Sequence, residues 1–143
     1  MPALRWCGGL GVDFGKVNVR LLVRDMHRCF DFFTEKIGLV VDWGDRDTSY
    51  VSFAVAQGGE PCFALFKAEL QTGYRGYVPP SGTGRIDCAV LSIPTQDVDA
   101  DYRRLLDKGV VFMGEPQTIE DWYMRCVYFR DPEGNLFELC QIL

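Results

Sequence analysis

One succession of elements is written twice along this 143-residue chain, and that repetition limits its fold more than any single motif does. Val17–Val23 (VNVRLLV) reads as a strand, β-branched with polar residues at 18 and 20. Asp25 follows as a helix N-cap, and Met26, Phe30, Phe33 and Ile37 recur at helical spacing as a core stripe. Gly38 closes the helix, and Leu39–Trp43, Ser49–Val55 and Cys62–Lys67 read as three more strands. The second copy runs in the same order. Ile86–Ile93 is a strand. Asp97 caps a helix whose apolar face is Val98, Tyr102 and either Leu105 or Leu106, and Gly109 ends it. Val110–Met113, Met124–Arg130 and Leu136–Ile142 supply three strands, the last two joined by the turn Asp131-Pro132-Glu133-Gly134-Asn135.

The fold expected is therefore α+β, built from two βαβββ modules. Residues 17–69 form module one and 85–143 module two of a single domain, 17–143. Leu70–Gly84, with four Gly and two Pro, is the linker, and the Gly-rich residues 1–16 read as a flexible arm. Gly9-Leu10-Gly11 is not a dinucleotide fingerprint, because the third glycine would fall at Phe14 and no strand precedes it.

Composition removes several classes of function. A formal charge of −5 argues against a phosphate-backbone partner, so no nucleic acid is expected. A single histidine, His27, excludes sites that need two or three imidazoles from one chain. His27 itself sits off the core stripe and reads as an exposed helix residue. The six cysteines, at 7, 29, 62, 88, 126 and 140, contain no C-x-x-C pair, which argues against zinc-ribbon and thioredoxin chemistry. No secretory segment or long apolar run stands out, so the expectation is a cytoplasmic chain with reduced thiols and no membrane partner.

Three stretches resemble the vicinal oxygen chelate superfamily, which contains glyoxalase I, bleomycin-resistance proteins, fosfomycin-resistance enzymes and extradiol dioxygenases. They are Val19–Asp25 running on through Phe30–Leu39, then Asp97–Ala100 with Lys108–Val110, and most specifically Phe129-Arg130-Asp131-Pro132-Glu133-Gly134-Asn135-Leu136-Phe137-Glu138-Leu139. The resemblance implies that each module forms a curved, half-open mixed sheet and that two modules enclose a cavity. It also implies metal-ligand positions on the first and last strand of each module. Here those positions hold Asn18, Ala64, Cys88 (Asp87 if the register slips by one) and Glu138. Ala offers no donor and Asn a weak one, so neither a metal nor another cofactor is expected.

With the cavity kept and the metal given up, the expected function is metal-independent binding of an aromatic or charged small molecule, of the antibiotic-sequestering bleomycin-resistance type. Strand alternation puts Arg20 on the face of Asn18, as an anchor for a carboxylate or phosphate or as a partner for Glu138. Phe66 shares the face of Ala64, and Trp122 stands before the Met124 strand. Asn18, Arg20, Phe66, Cys88, Trp122 and Glu138 are the candidate ligand-binding residues. Cys88 lacks an evident activator and reads as packing rather than as a reactive thiol. The alternative is an atypical lyase or isomerase with Glu138 as acid or base, with or without a metal. The resemblance further implies a homodimer.

Overall fold

A computed structural model describes residues 15–81 and 86–143. The arm expected over 1–16 lies outside the described residues except for Gly15 and Lys16, and Gly15 N donates to Pro94 O at 2.9 Å. The chain divides into two compact units: 19–73 with 79–90, and 91–143 with 74–78 and the described residues up to 18.

The first unit contains β1 (Asn18–Val23), α1 (Met26–Asp31), β2 (Val40–Trp43), β3 (Tyr50–Ala54), β4 (Pro61–Lys67) and the short helix α2 (Ala68–Thr72). Its strands lie in the order β2-β3-β4-β1, with β1 and β4 parallel and the other pairs antiparallel. The Asp25 carboxylate caps α1 by accepting from Arg28 N at 3.0 Å. Met26, Phe30 and Phe33 pack on Val51, Phe53 and Leu65 as expected. Ile37 does not, being 55 % exposed. The cause lies in the backbone: after Asp31 the helix widens into a π-helical turn over Phe32–Lys36. Ile37 N then donates to Phe32 O, and Leu39 takes the place in the core. One extra residue per turn rotates every later side chain off the stripe.

The second unit contains most of β5 (Ala89–Pro94), then α3 (Val98–Asp107), β6 (Gln117–Ile119), β7 (Met124–Arg130) and β8 (Leu136–Ile142). The order β5-β8-β7-β6, with β5 and β8 parallel, repeats that of the first unit. Asp97 caps α3 by accepting from Ala100 N at 2.9 Å. Of the two leucines left open by the sequence, Leu105 faces the core and Leu106 is exposed. The strand expected at Val110–Met113 is not formed. Phe112 makes only an isolated bridge to Phe129, and its ring packs on Tyr102 and Phe129. The edge strand is Gln117–Ile119 instead. The expected linker also begins differently, since α2 runs into it and delivers Gln71 to the interior.

The DPEGN turn is held by its first residue. Asp131 accepts from Glu133 N, Asn135 N and Asn135 Nδ2 at 3.0, 2.8 and 2.7 Å. A tighter constraint sits between β2 and β3, where Gly44 has φ +84° and a Cβ would lie 2.5 Å from Tyr50 O. Gly44→Ala is expected to cost more than about 2 kcal/mol, against about 1 kcal/mol for Gly38→Ala, whose φ is similar but whose Cβ would meet open space. Urea unfolding of the two variants checks this, and equal costs would contradict it.

Candidate functional site

In each unit one face of the strands packs under a helix, α1 in the first and α3 in the second. In the first unit the helix takes the odd positions of β1, β3 and β4: Leu21, Val51, Phe53, Phe63 and Leu65. The even positions therefore share the other face. Register places Arg20 beside Ala64, Ser52 across from Ala64, and Tyr50 across from Phe66. The Arg20 guanidinium carbon lies 5.5 Å from the Phe66 ring centroid. Arg20 Nη2 donates to Gln71 Oε1 at 3.4 Å. Rings continue along the same face, Phe66 to Tyr50 at 6.4 Å and Tyr50 to Trp43 at 5.6 Å between centroids. The result is an aromatic row ending in a guanidinium, with the methyl group of Ala64 as its floor. A planar fork of five N–H donors suits a carboxylate or phosphate, and the ring row suits a flat apolar body.

Of the residues singled out from the sequence, Arg20 and Phe66 are brought together. Asn18 is the half-buried first residue of β1. Cys88 is exposed, lies just before β5, and touches β1 through its carbonyl, which accepts from Leu22 N at 2.9 Å. Trp122 is half-buried at the end of the 3-10 turn Glu120–Trp122. Glu138 is wholly buried on β8, in register with Ser92 on β5 and Tyr128 on β7. Tyr50 and Gln71 were not singled out. Tyr50 is signalled by alternation with the expected strand Ser49–Val55, whereas Gln71 lies in what composition marks as loop.

A metal of the kind the superfamily's enzymes use does not fit the first unit. The Ala64 side chain supplies no lone pair, and its register partner Arg20 brings a fixed positive charge to the same face. His27 adds nothing, since its Nε2 is 2.8 Å from Asp47 Oδ1 on the surface. Among the described residues, the carboxylates whose pKa is displaced also lie elsewhere. Asp31 is held below the usual range by its bond from Arg46, Asp99 by its bond from Arg125, and Asp131 by its bonds from Asn135. These are tethers of helices and turns. Two surface hollows among the described residues, about 730 Å³ beside His27 and Arg46 and about 360 Å³ beside Asp99 and Arg125, contain none of the expected site residues.

Comparison with known proteins agrees with this architecture. The family model described as Glyoxalase/Bleomycin resistance protein/Dioxygenase superfamily matches residues 16–139. The uncharacterized protein YraH of Bacillus subtilis (strain 168) is 30 % identical over 128 residues, covering 89 % of this chain and 98 % of that protein. A glyoxalase/bleomycin resistance protein/dioxygenase superfamily member from Vibrio splendidus 12B01 is similar in fold, with TM-score 0.55, 17 % identity, and coverage of 90 % of this chain and 98 % of its own. So is methylmalonyl-CoA epimerase from Mycobacterium tuberculosis, with TM-score 0.57, 18 % identity, and coverage of 89 % and 87 %. At these identities the structural likenesses speak for fold alone.

Proposed function

This chain belongs to the glyoxalase/bleomycin resistance protein/dioxygenase superfamily, and on that premise we propose that it binds a small organic anion without a metal at the site of contact. The ligand class is a flat, aromatic or conjugated body carrying a carboxylate or phosphate. One observation carries the reading: Arg20 stands on the sheet face opposite α1, at the end of the row Phe66, Tyr50, Trp43. A guanidinium offers a carboxylate or phosphate a planar fork of donors, and the ring row beside it offers a flat body stacking surface.

The same geometry accounts for a superfamily member without the usual donors. Ala64 stands where a ligating side chain would be, and its register partner Arg20 brings a positive charge to the same face. Binding is then charge-assisted hydrogen bonding plus ring stacking.

A thermal-shift screen tests the proposal. Aromatic carboxylates and phosphates, at saturating concentration, should raise the midpoint by several degrees, as expected when ligand exceeds Kd about 100-fold. Aromatic amines of the same shape should not. Stabilisation by the amines and not by the acids would overturn the reading.

A further inference from the structure

The second unit holds a cluster that the proposed function does not use. Cys126 on β7 and Glu138 and Cys140 on β8 are all buried, and one ligand atom from each lies within 4.8 Å of the others. We propose that these three side chains form a site for a thiophilic divalent cation of the zinc class. This goes beyond the anion-binding reading and stands on different residues in the other unit.

The argument begins with register. Cys126 pairs directly with Cys140, and Tyr128 with Glu138, across an antiparallel hairpin. Within that ladder Leu143 N donates to Tyr123 O at 2.8 Å and Asp131 N to Asn135 O at 3.1 Å. Those two bonds place the hydrogen-bonded pairs at odd positions, so Cys126 and Cys140 form a non-hydrogen-bonded pair. In such pairs the α-carbons approach to about 4.5 Å and the side chains are closest. Glu138, two residues before Cys140, projects from the same face and adds a carboxylate to the two sulfurs.

Chemistry then selects the ion. Two thiolates and one carboxylate suit zinc, with metal–sulfur bonds of about 2.3 Å and metal–oxygen bonds of about 2.0–2.2 Å. Tetrahedral bonds of that length need the sulfurs roughly 3.8 Å apart, which side-chain rotation can reach from the separation present. Magnesium and calcium, which prefer all-oxygen sites, are disfavoured. The ion would replace the two thiol protons, which leave to solvent, and would neutralise most of the charge brought together. Ser92 on β5 and Tyr128 on β7 are in register with Glu138 on the same face and carry further side-chain oxygens. Glu138 is one of the four positions the superfamily resemblance implies, whereas Cys126 and Cys140 are not, so two of the three donors are particular to this chain.

The test is a cobalt titration of the reduced, full-length protein, with zinc as competitor. The expected result is one equivalent of Co²⁺ bound, a thiolate-to-cobalt charge-transfer band, release of about two protons per ion, and displacement by zinc. Cys126→Ser and Cys140→Ser should each weaken zinc binding by more than the roughly 100-fold lost when a group merely supporting a ligand is removed. Cys62→Ser, at an exposed position, should keep both band and affinity. The wild-type spectrum decides the matter even where a buried-cysteine variant fails to fold. Absence of a thiolate band in the reduced wild type, a band that survives loss of Cys126, or rapid closure of a Cys126–Cys140 disulfide that blocks the ion would each overturn the proposal.

Discussion

Phe53→Ala should cost about 3–5 kcal/mol and lower the midpoint of thermal unfolding by roughly 10–15 °C. Phe53 has no exposed surface, and its ring meets those of Phe30, Phe33 and Phe63 at centroid distances of 6.0, 5.8 and 5.7 Å. Three tilted aromatic neighbours on a helix and a strand cannot close over the void a methyl group would leave, so the cavity penalty adds to the lost transfer energy. Phe32, one residue from Phe33 but 46 % exposed, is the internal control. Its truncation should cost under about 1 kcal/mol. A stability of about 5–15 kcal/mol is usual for a domain, so Phe53→Ala removes a large part of it. Calorimetry of the two variants against wild type reads the difference, and similar losses would mean that Phe53 is not central to this core.

The second large effect is on binding. Arg20→Gln keeps length and polarity but removes the charge and the fork, and it should weaken an aromatic carboxylate by about 100-fold, or roughly 2.7 kcal/mol. Loss of a paired, partly desolvated charge commonly costs about 2–5 kcal/mol. Arg20→Lys should recover only part of this, because an ammonium cannot pair bidentately or lie flat over Phe66. The variant also loses the contacts of Arg20 with Gln71 and Phe66, so its affinity is read well below its own unfolding midpoint.

Much of the fold was legible because its signals are local. An N-cap aspartate, a helical stripe and a closing glycine occur twice, and both caps form the bonds their chemistry predicts. The Asp131–Asn135 turn was legible for the same reason: its carboxylate binds the backbone a few residues on. Features decided across the chain were less legible. Ile37 fits a 3.6-residue period and is displaced only because the helix widens after Asp31. Val110–Met113 has strand composition, yet pairing chose Gln117–Ile119, while Phe112 was recruited to pack under α3.

The candidate site divides along the same line. Arg20 and Phe66 follow from alternation on single strands, and the structure sets them together. Tyr50 needed the β3–β4 register, and Gln71 needed a helix inside an apparent loop. Neither the spacing of Cys126 and Cys140 nor their apolar runs, where cysteine usually packs as a small hydrophobe, signals a site. Their pairing follows once the hairpin register is traced outward from the DPEGN turn, because Arg130 with Leu136 leads to Cys126 with Cys140.

The central claim is that Arg20 reads the charge of an organic anion. Titration calorimetry with an aromatic carboxylate and its neutral amide, on wild type and on Arg20→Gln, measures that claim directly. The account predicts that wild type prefers the carboxylate by at least about tenfold, a difference of about 1.4 kcal/mol, and that Arg20→Gln binds the two alike. Equal affinity of wild type for both, or a preference that survives in Arg20→Gln, would contradict it.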